Sequence, residues 1–367
     1  MIRLSSIIEA FEAQCLAKYD SRLLPGHRKA LAAMKQCRTA LSPRMQVQCA
    51  DCDEQRFVPH SCGHRLCPHC QHHESQQWLE HQLDKQVPGE YFLLTFTLPA
   101  EFRALAFAQQ RTVYSALMQG AWDTVRTFAL NDKQLQGVPG AVAVLHTHSR
   151  RLDFHPHVHL VMPAAALDAG KRLWRTKSRK GKAGYLFSHK ALAKVFRAKM
   201  LDTLTQAGLT LPPSHPQHWV VDCQSVGGGN TALVYLGRYL YRGVIQEKDI
   251  LACHNGRVTF RYRSSKTKRY ETRTLAGEDF LWLLLRHVLP KGFRRARNFG
   301  FLHANSKRLI QLLRYLLKCP PTRVIPTPRP VMTCPCCGGN MRIVRTRLAP
   351  PRTRQYPPDE WQEAVAM

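Results

Sequence analysis

The sequence predicts an α+β fold, an antiparallel sheet flanked by helices and preceded by a small helical and cysteine-rich domain. Three observations carry that expectation. Apolar strand-like runs at 91–98 (YFLLTFTL), 141–146 (AVAVLH), 157–162 and 218–223 (HWVVDC) alternate with helical periodicities at about 101–130, 189–207 and 231–242. Two consecutive runs, 141–148 and 155–162, are separated by a few polar residues, as neighbouring antiparallel strands require. Cysteines gather as CxxC pairs outside this block.

Along the chain, residues 1–40 read as two helices broken near Leu24-Pro25-Gly26, the first with Ile7, Ile8, Phe11 and Leu16 on one side. A Cys/His-rich segment follows at 49–73, and residues 1–85 are expected to form one unit. The central unit, 86–318, holds the sheet. Late in it, RVTFRYR at 257–263 and YETRTL at 270–275 flank the basic turn SSKTKR as a hairpin, and helices at about 277–288 and 305–317 close it. Residues 319–367 are rich in Pro and Arg, carry CPCCGG, and are expected to be a tail mobile over much of its length. No internal repeat is visible.

Lys and Arg number 54 against 25 Asp and Glu, a net charge of +29. Such an excess repels itself unless a polyanion shares the surface, so nucleic acid is the expected partner and an acidic membrane the weaker one. The longest apolar runs, such as FLWLLL at 280–285, are too short to span a bilayer, and no secretory pattern is visible, so a soluble, intracellular protein is expected. Segment 171–182, KRLWRTKSRKGK, suggests a phosphate-contacting loop through Lys171, Arg172, Arg175, Lys177, Arg179, Lys180 and Lys182, with Trp174 free to stack on a base. A merely solvated loop is the plainer alternative.

The 13 cysteines point to thiolate-bound metal in a reducing compartment. In CADCDEQRFVPHSCGHRLCPHC, Cys49 with Cys52 and Cys67 with Cys70 are paired knuckles at ribbon spacing, expected to complete one structural zinc tetrahedron. His60, Cys62, His64 and His69 crowd that site, and one of them could replace a cysteine. Cys334 and Cys337 form a further knuckle for a possible second zinc, with Cys319, Cys336 or a histidine to complete it, or else free surface thiols.

In DFHPHVHLVMP, His155, His157 and His159 alternate on one strand face. Imidazoles at i and i+2 can converge on one Mg2+ or Mn2+ ion, leaving positions for phosphate oxygens and water. The stretch SVGGGNTALVYLGRYLYRG offers a nucleophile. Asn230 suits a helix start and Gly243 a stop, and between them Tyr235 and Tyr239 share one face at i and i+4 while Tyr241 lies off it. Half-buried packing is the alternative for both tyrosines.

FLLTFTLP, the HPHVHLV strand and the YLGRY helix, in that order, resemble the HUH single-strand endonucleases. The cysteine ribbon before them and FLWLLLRHVLPKGFRRARNFGFL after them resemble the transposases of the insertion-sequence-91 family, over about residues 45–340. The resemblance implies His157 and His159 as ligands of a catalytic Mg2+ or Mn2+, and Tyr235 and Tyr239 as paired nucleophiles. It leaves the third ligand open among His155, His146, His148 and an acidic or amide residue. It implies a bacterial cytoplasmic, nucleoid-associated enzyme. That enzyme nicks and joins single-stranded or hairpin DNA at element ends and target site, through a 5′-phosphotyrosine, in rolling-circle-type transposition. A replication initiator or relaxase of the same chemistry, and a zinc-containing DNA-binding protein without activity, are the competing readings.

Overall fold

A computed structural model describes residues 2–349 apart from 71, 169, 171–172, 178–184, 242, 265 and 319–330. The two N-terminal helices are α1 (Leu4–Lys18) and α2 (Pro25–Gln36). Pro25 opens α2, where its fixed φ suits a helix and its missing N–H costs nothing. A short hairpin, β1 (Arg44–Cys49) and β2 (Gln55–Pro59), precedes α3 (His72–Asp84) and β3 (Tyr91–Thr97). The long helical pattern divides into α4 (Arg103–Ala108) and α5 (Gln110–Asn131), because Gln109 leaves helical geometry at φ −118° and ψ 48°. Then come β4 (Val138–His148), β5 (Phe154–Pro163), β6 (Ala165–Asp168), β7 (Leu173–Thr176), α6 (His189–Gln206), β8 (Val221–Ser225) and α7 (Asn230–Tyr241). The hairpin region is β9 (Ile250–His254), β10 (Arg257–Arg263) and β11 (Tyr270–Ala276). The last elements are α8 (Gly277–Leu285), β12 (Ala296–Gly300), α9 (Lys307–Leu316), β13 (Met332–Thr333) and β14 (Asn340–Leu348). No described helix is long and apolar enough to cross a membrane.

The central sheet runs β7-β6-β4-β5-β3-β8, with β12 also paired to β4, and every described pairing in it is antiparallel. Its two faces follow the period of two. Phe92, Leu94 and Phe96 of β3, with Val158, Leu160 and Met162 of β5, pack under α5 and α6 in the largest core cluster. The opposite face carries Tyr91, Val142, Val144 and Val161, and α7 covers it with Ala232, Leu233, Leu236 and Leu240. His157 and His159 alternate with the first set and therefore look toward α7.

Two features depart from the expected organisation. The strand expected over 218–223 begins only at Val221, because Trp219 turns inward between Phe102 and Phe196. The C-terminal knuckle segment is not part of a loose tail: β14 pairs antiparallel with β1, giving a four-stranded ribbon β13-β14-β1-β2. Residues 319–330 and 350–367 of the expected tail lie outside the described residues. A separate cluster joins α1, α2 and α8, fastened by the stack of Tyr19 on Trp282 and by Lys18 between Glu278 and Asp279.

Candidate functional site

Strand register gathers the histidines. His146 of β4 stands opposite His157 of β5, Val144 opposite His159, and Thr95 of β3 opposite His159 from the other side. One nitrogen from each of His146, His157 and His159 lies within 4.8 Å of the others. Nδ1 of His157 donates to the carbonyl oxygen of His155 at 2.7 Å, which leaves its Nε2 lone pair for the cluster. Nδ1 of His159 lies 2.9 Å from the Thr95 hydroxyl, the arrangement by which an outer partner orients a ligating imidazole. Burial pushes His157 down to about 4 and His159 to about 3, and drives His146 well below the ordinary histidine range. All three are neutral at physiological pH, the form in which imidazole binds metal.

His155 does not join them. It is turned toward the Arg103 guanidinium, 2.9 Å from its Nδ1, so the third member of the cluster is His146. His148, two residues further along β4, faces His287 with ring centroids 5.2 Å apart.

On α7, Tyr235 stands beside His159, ring centroids 6.2 Å apart and nearly perpendicular, and is 47% exposed. Burial raises its pKa and the charge of Arg150 opposes the rise. Tyr239 and Tyr241 lie in the same helix, but their side chains are outside the described residues. Two close approaches fix α7. Gly229, at φ +85°, sits where a Cβ would come 2.6 Å from the Tyr91 ring, so the turn into the helix demands glycine. Gly237 lets α7 lie against Trp78 of α3, whose ring is 3.3 Å from a Cβ built there.

A cavity of about 550 Å³ opens in front of this group, lined by His146, His157, Tyr235, Arg150, Arg151 and the β10–β11 turn with Lys266 and Thr267. An adjoining cavity of about 450 Å³ shares Tyr235, Arg150 and Tyr262 and adds Arg261 and Arg263. The carboxylates at this mouth are engaged: Arg273 holds Asp153 at 2.8 Å, and Tyr262 and Thr267 donate to Glu271. Sequence reasoning had assigned no site role to Arg150, Arg151, Arg261 or Arg263; the basic hairpin was visible, but not the cavity it walls. The expected basic loop fares differently. Trp174 packs edge-on against Phe301, Arg175 lies 3.7 Å from Asp168, and Lys177 pairs with Asp132 and covers the Phe187 ring. These three are half-buried and each has a partner within the fold, while Lys171, Arg172, Arg179, Lys180 and Lys182 lie outside the described residues.

The cysteines regroup. Cys49, Cys52, Cys67 and Cys70 do not share one site. Cys67 and Cys70 gather with Cys37 and Cys62, while Cys49 and Cys52 face Cys334 and Cys337. A CxxC pair fixes half a tetrahedron and does not name its other half. Cys37 was missed because it lies alone at the end of α2, outside any paired motif. The inner cluster abuts the tyrosine helix: Gly243, just beyond α7, leaves no room for a side chain against the Leu66 carbonyl of the knuckle. His69 and the Leu4 backbone N–H meet at Glu247 Oε1, at 3.0 and 2.7 Å.

Comparison with known proteins agrees with this layout. The family model "Transposase zinc-binding domain" matches residues 7–98, and the model "Putative transposase" matches residues 140–309. The chain is 30% identical over 317 residues to "Putative transposase y4qJ" of Sinorhizobium fredii, covering 80% of this chain and 77% of the relative. It is 29% identical to "Transposase for insertion sequence element IS801" of Pseudomonas savastanoi pv. phaseolicola, over 73% of this chain and 68% of that one. Among solved structures, "Conjugative Relaxase TrwC in complex with mutant OriT Dna" matches at 18% identity and a TM-score of 0.27, over 35% of this chain and 48% of that chain. At that score it adds nothing to the sheet order already described. With a zinc-binding transposase domain at one end, the histidine strand and tyrosine helix inside the second match, and identity sustained along most of its length, the chain belongs to the insertion-sequence-91 family of transposases.

Proposed function

We propose that this transposase nicks and joins single-stranded DNA at insertion-element ends through a 5′-phosphotyrosine intermediate, in rolling-circle-type transposition. The observation that carries the reading is Tyr235 beside His159 at the mouth of the cavity that His146 and His157 line. The donor set fits a divalent cation, since three neutral imidazoles converge with two of them oriented by outer partners. Held by His146, His157 and His159, Mn2+ or Mg2+ would supply Lewis-acid polarisation of the scissile phosphate, and three nitrogen donors favour Mn2+.

The chain's own residues account for the rest. Arg150, Arg151 and Lys266 attract the phosphate backbone into the cavity. The Tyr235 oxygen attacks phosphorus as its phenolic proton leaves; the bond to the 3′ oxygen breaks, and that oxygen takes a proton to become a free 3′-hydroxyl. Tyr239, one helical turn on, is the second nucleophile that accepts the other cleavage, so the bond energy stays covalent and no nucleotide-hydrolysis loop is required.

Labelled single-stranded oligonucleotide carrying an element end, with Mg2+ or Mn2+, gives a protein adduct on denaturing gels. The adduct is lost in Tyr235→Phe with Tyr239→Phe, in His157→Ala and in His146→Ala, and retained in His155→Ala. Adduct in the double tyrosine variant overturns the nucleophile assignment. Absence of adduct with every end and ion favours a DNA-binding protein without activity.

A further inference from the structure

Two CxxC pairs 282 residues apart in sequence meet across the ribbon. Sγ of Cys49 lies 3.5 Å from that of Cys337, and Sγ of Cys52 lies 3.6 Å from that of Cys334. A disulfide needs about 2.05 Å. A tetrahedral zinc with bonds of about 2.3 Å separates its sulfurs by about 3.8 Å, the edge of the tetrahedron. The observed spacing is that of four thiolates around an ion.

The surrounding backbone is shaped for the same purpose. The Asp51 N–H points to Cys49 Sγ at 3.4 Å, as a knuckle that stabilises a thiolate does. In the facing knuckle, Gly338 takes φ +74° and its N–H closes on the Cys334 carbonyl at 2.8 Å. Gly339 lies directly against the Asp51 carboxylate, which brings the two knuckles face to face. Beyond strand pairing and the partly buried Met45, Val58 and Met332, little holds them without an ion. The ribbon's buried apolar set is Val47, Cys49, Cys334 and Met341, too small to order four strands without a staple.

We propose that Cys49, Cys52, Cys334 and Cys337 bind a zinc ion of their own, a clasp that fastens β14 near the end of the chain to β1 near its start. This ion is separate from the one held by Cys37, Cys62, Cys67 and Cys70. The two differ in access. Cys52 and Cys337 are exposed, whereas Cys37, Cys67 and Cys70 are buried, so the clasp ion is the first to leave.

The test uses the full chain and reads metal rather than activity. Elemental analysis finds one zinc fewer per chain in Cys334→Ser with Cys337→Ser, and likewise in Cys49→Ser with Cys52→Ser. Cys336→Ser, which alters the neighbouring exposed thiol, keeps the parent content. With Co2+ in place of zinc, thiolate-to-cobalt absorption falls by half in each double variant; the remaining half reports that the inner site, and hence the fold, persists. Brief chelation of the parent removes one thiolate-bound ion and opens β14 to trypsin. Parent zinc content in the Cys334/Cys337 variant overturns the proposal. So does loss of all thiolate–cobalt absorption, or tryptic release of β14 at the same rate with and without metal.

Discussion

The His155 carbonyl fixes which nitrogen His157 leaves open and the Thr95 hydroxyl orients the His159 ring, so the geometry of the histidine cluster depends on groups outside it. Thr95→Val keeps the shape and removes the hydroxyl. Mn2+ affinity is expected to fall about 10–100-fold in a metal titration, the usual cost of losing such an outer partner, with the circular dichroism unchanged. Other buried histidines set a pH limit. Burial pushes His27 and His287 down to about 4, so below about pH 6.5 the unfolded chain binds protons that the folded chain refuses. Their contribution is complete above about 6.5 and is lost as the pH falls toward 4, on the order of 3 kcal/mol each. Urea midpoints measured from pH 7 to 4.5 should fall steeply, and His27→Gln should flatten the profile. At this scale the sequence was informative within one strand and blind across strands. Spacing put three histidines on one face and the family resemblance singled out His157 and His159, but His146 enters through a register of β4 on β5 that no local pattern states. His155 has the right parity and still fails, because Arg103 claims it.

At the scale of elements, α7 is held at both ends by glycines whose neighbours come from elsewhere in the chain. Gly243→Ala drives a methyl group into the Leu66 carbonyl and should cost about 1–3 kcal/mol, the range for overpacking, lowering the melting temperature and the adduct yield together. Gly228→Ala, in the GGG stretch before α7 with open space around its Cβ position, should leave both unchanged; equal losses in the two variants would show that chain flexibility, not packing, matters. Strands β3, β4 and β5, the β10–β11 hairpin and most helices were legible because periodicity is local, whereas the short strands β1, β2, β6, β7 and β12 carry too few residues to show it. The partners of the CxxC pairs were not, since a knuckle carries no mark of which knuckle it will face. The ring contact of Trp174 with Phe301 was hidden for a related reason: nothing in the basic segment around it names a partner 127 residues away.

For the whole molecule, the net charge of +29 and the arginines walling the two cavities predict binding of single-stranded DNA that weakens steeply with salt, as displaced counterions return. Affinity for an unrelated single-stranded oligonucleotide, measured between about 50 and 200 mM salt, should fall by about 300-fold or more if six or more phosphates are contacted. A flat response would mean that the charge serves something other than strand binding. Composition alone pointed to a polyanion; the arginine-walled cavities became visible only in the fold.

The pairing of β14 with β1 also has a consequence in time. Cys49 and Cys52 leave the ribosome some 282 residues before Cys334, so at about 5–20 residues per second the ribbon stays unclosed for roughly 15–60 s in every newly made molecule. During that interval β1 has a free edge and two thiols without their counterparts. A chain arrested or truncated before β14 is synthesised keeps that open edge for good, and is expected to pair wrongly with other strands long before it could act on DNA.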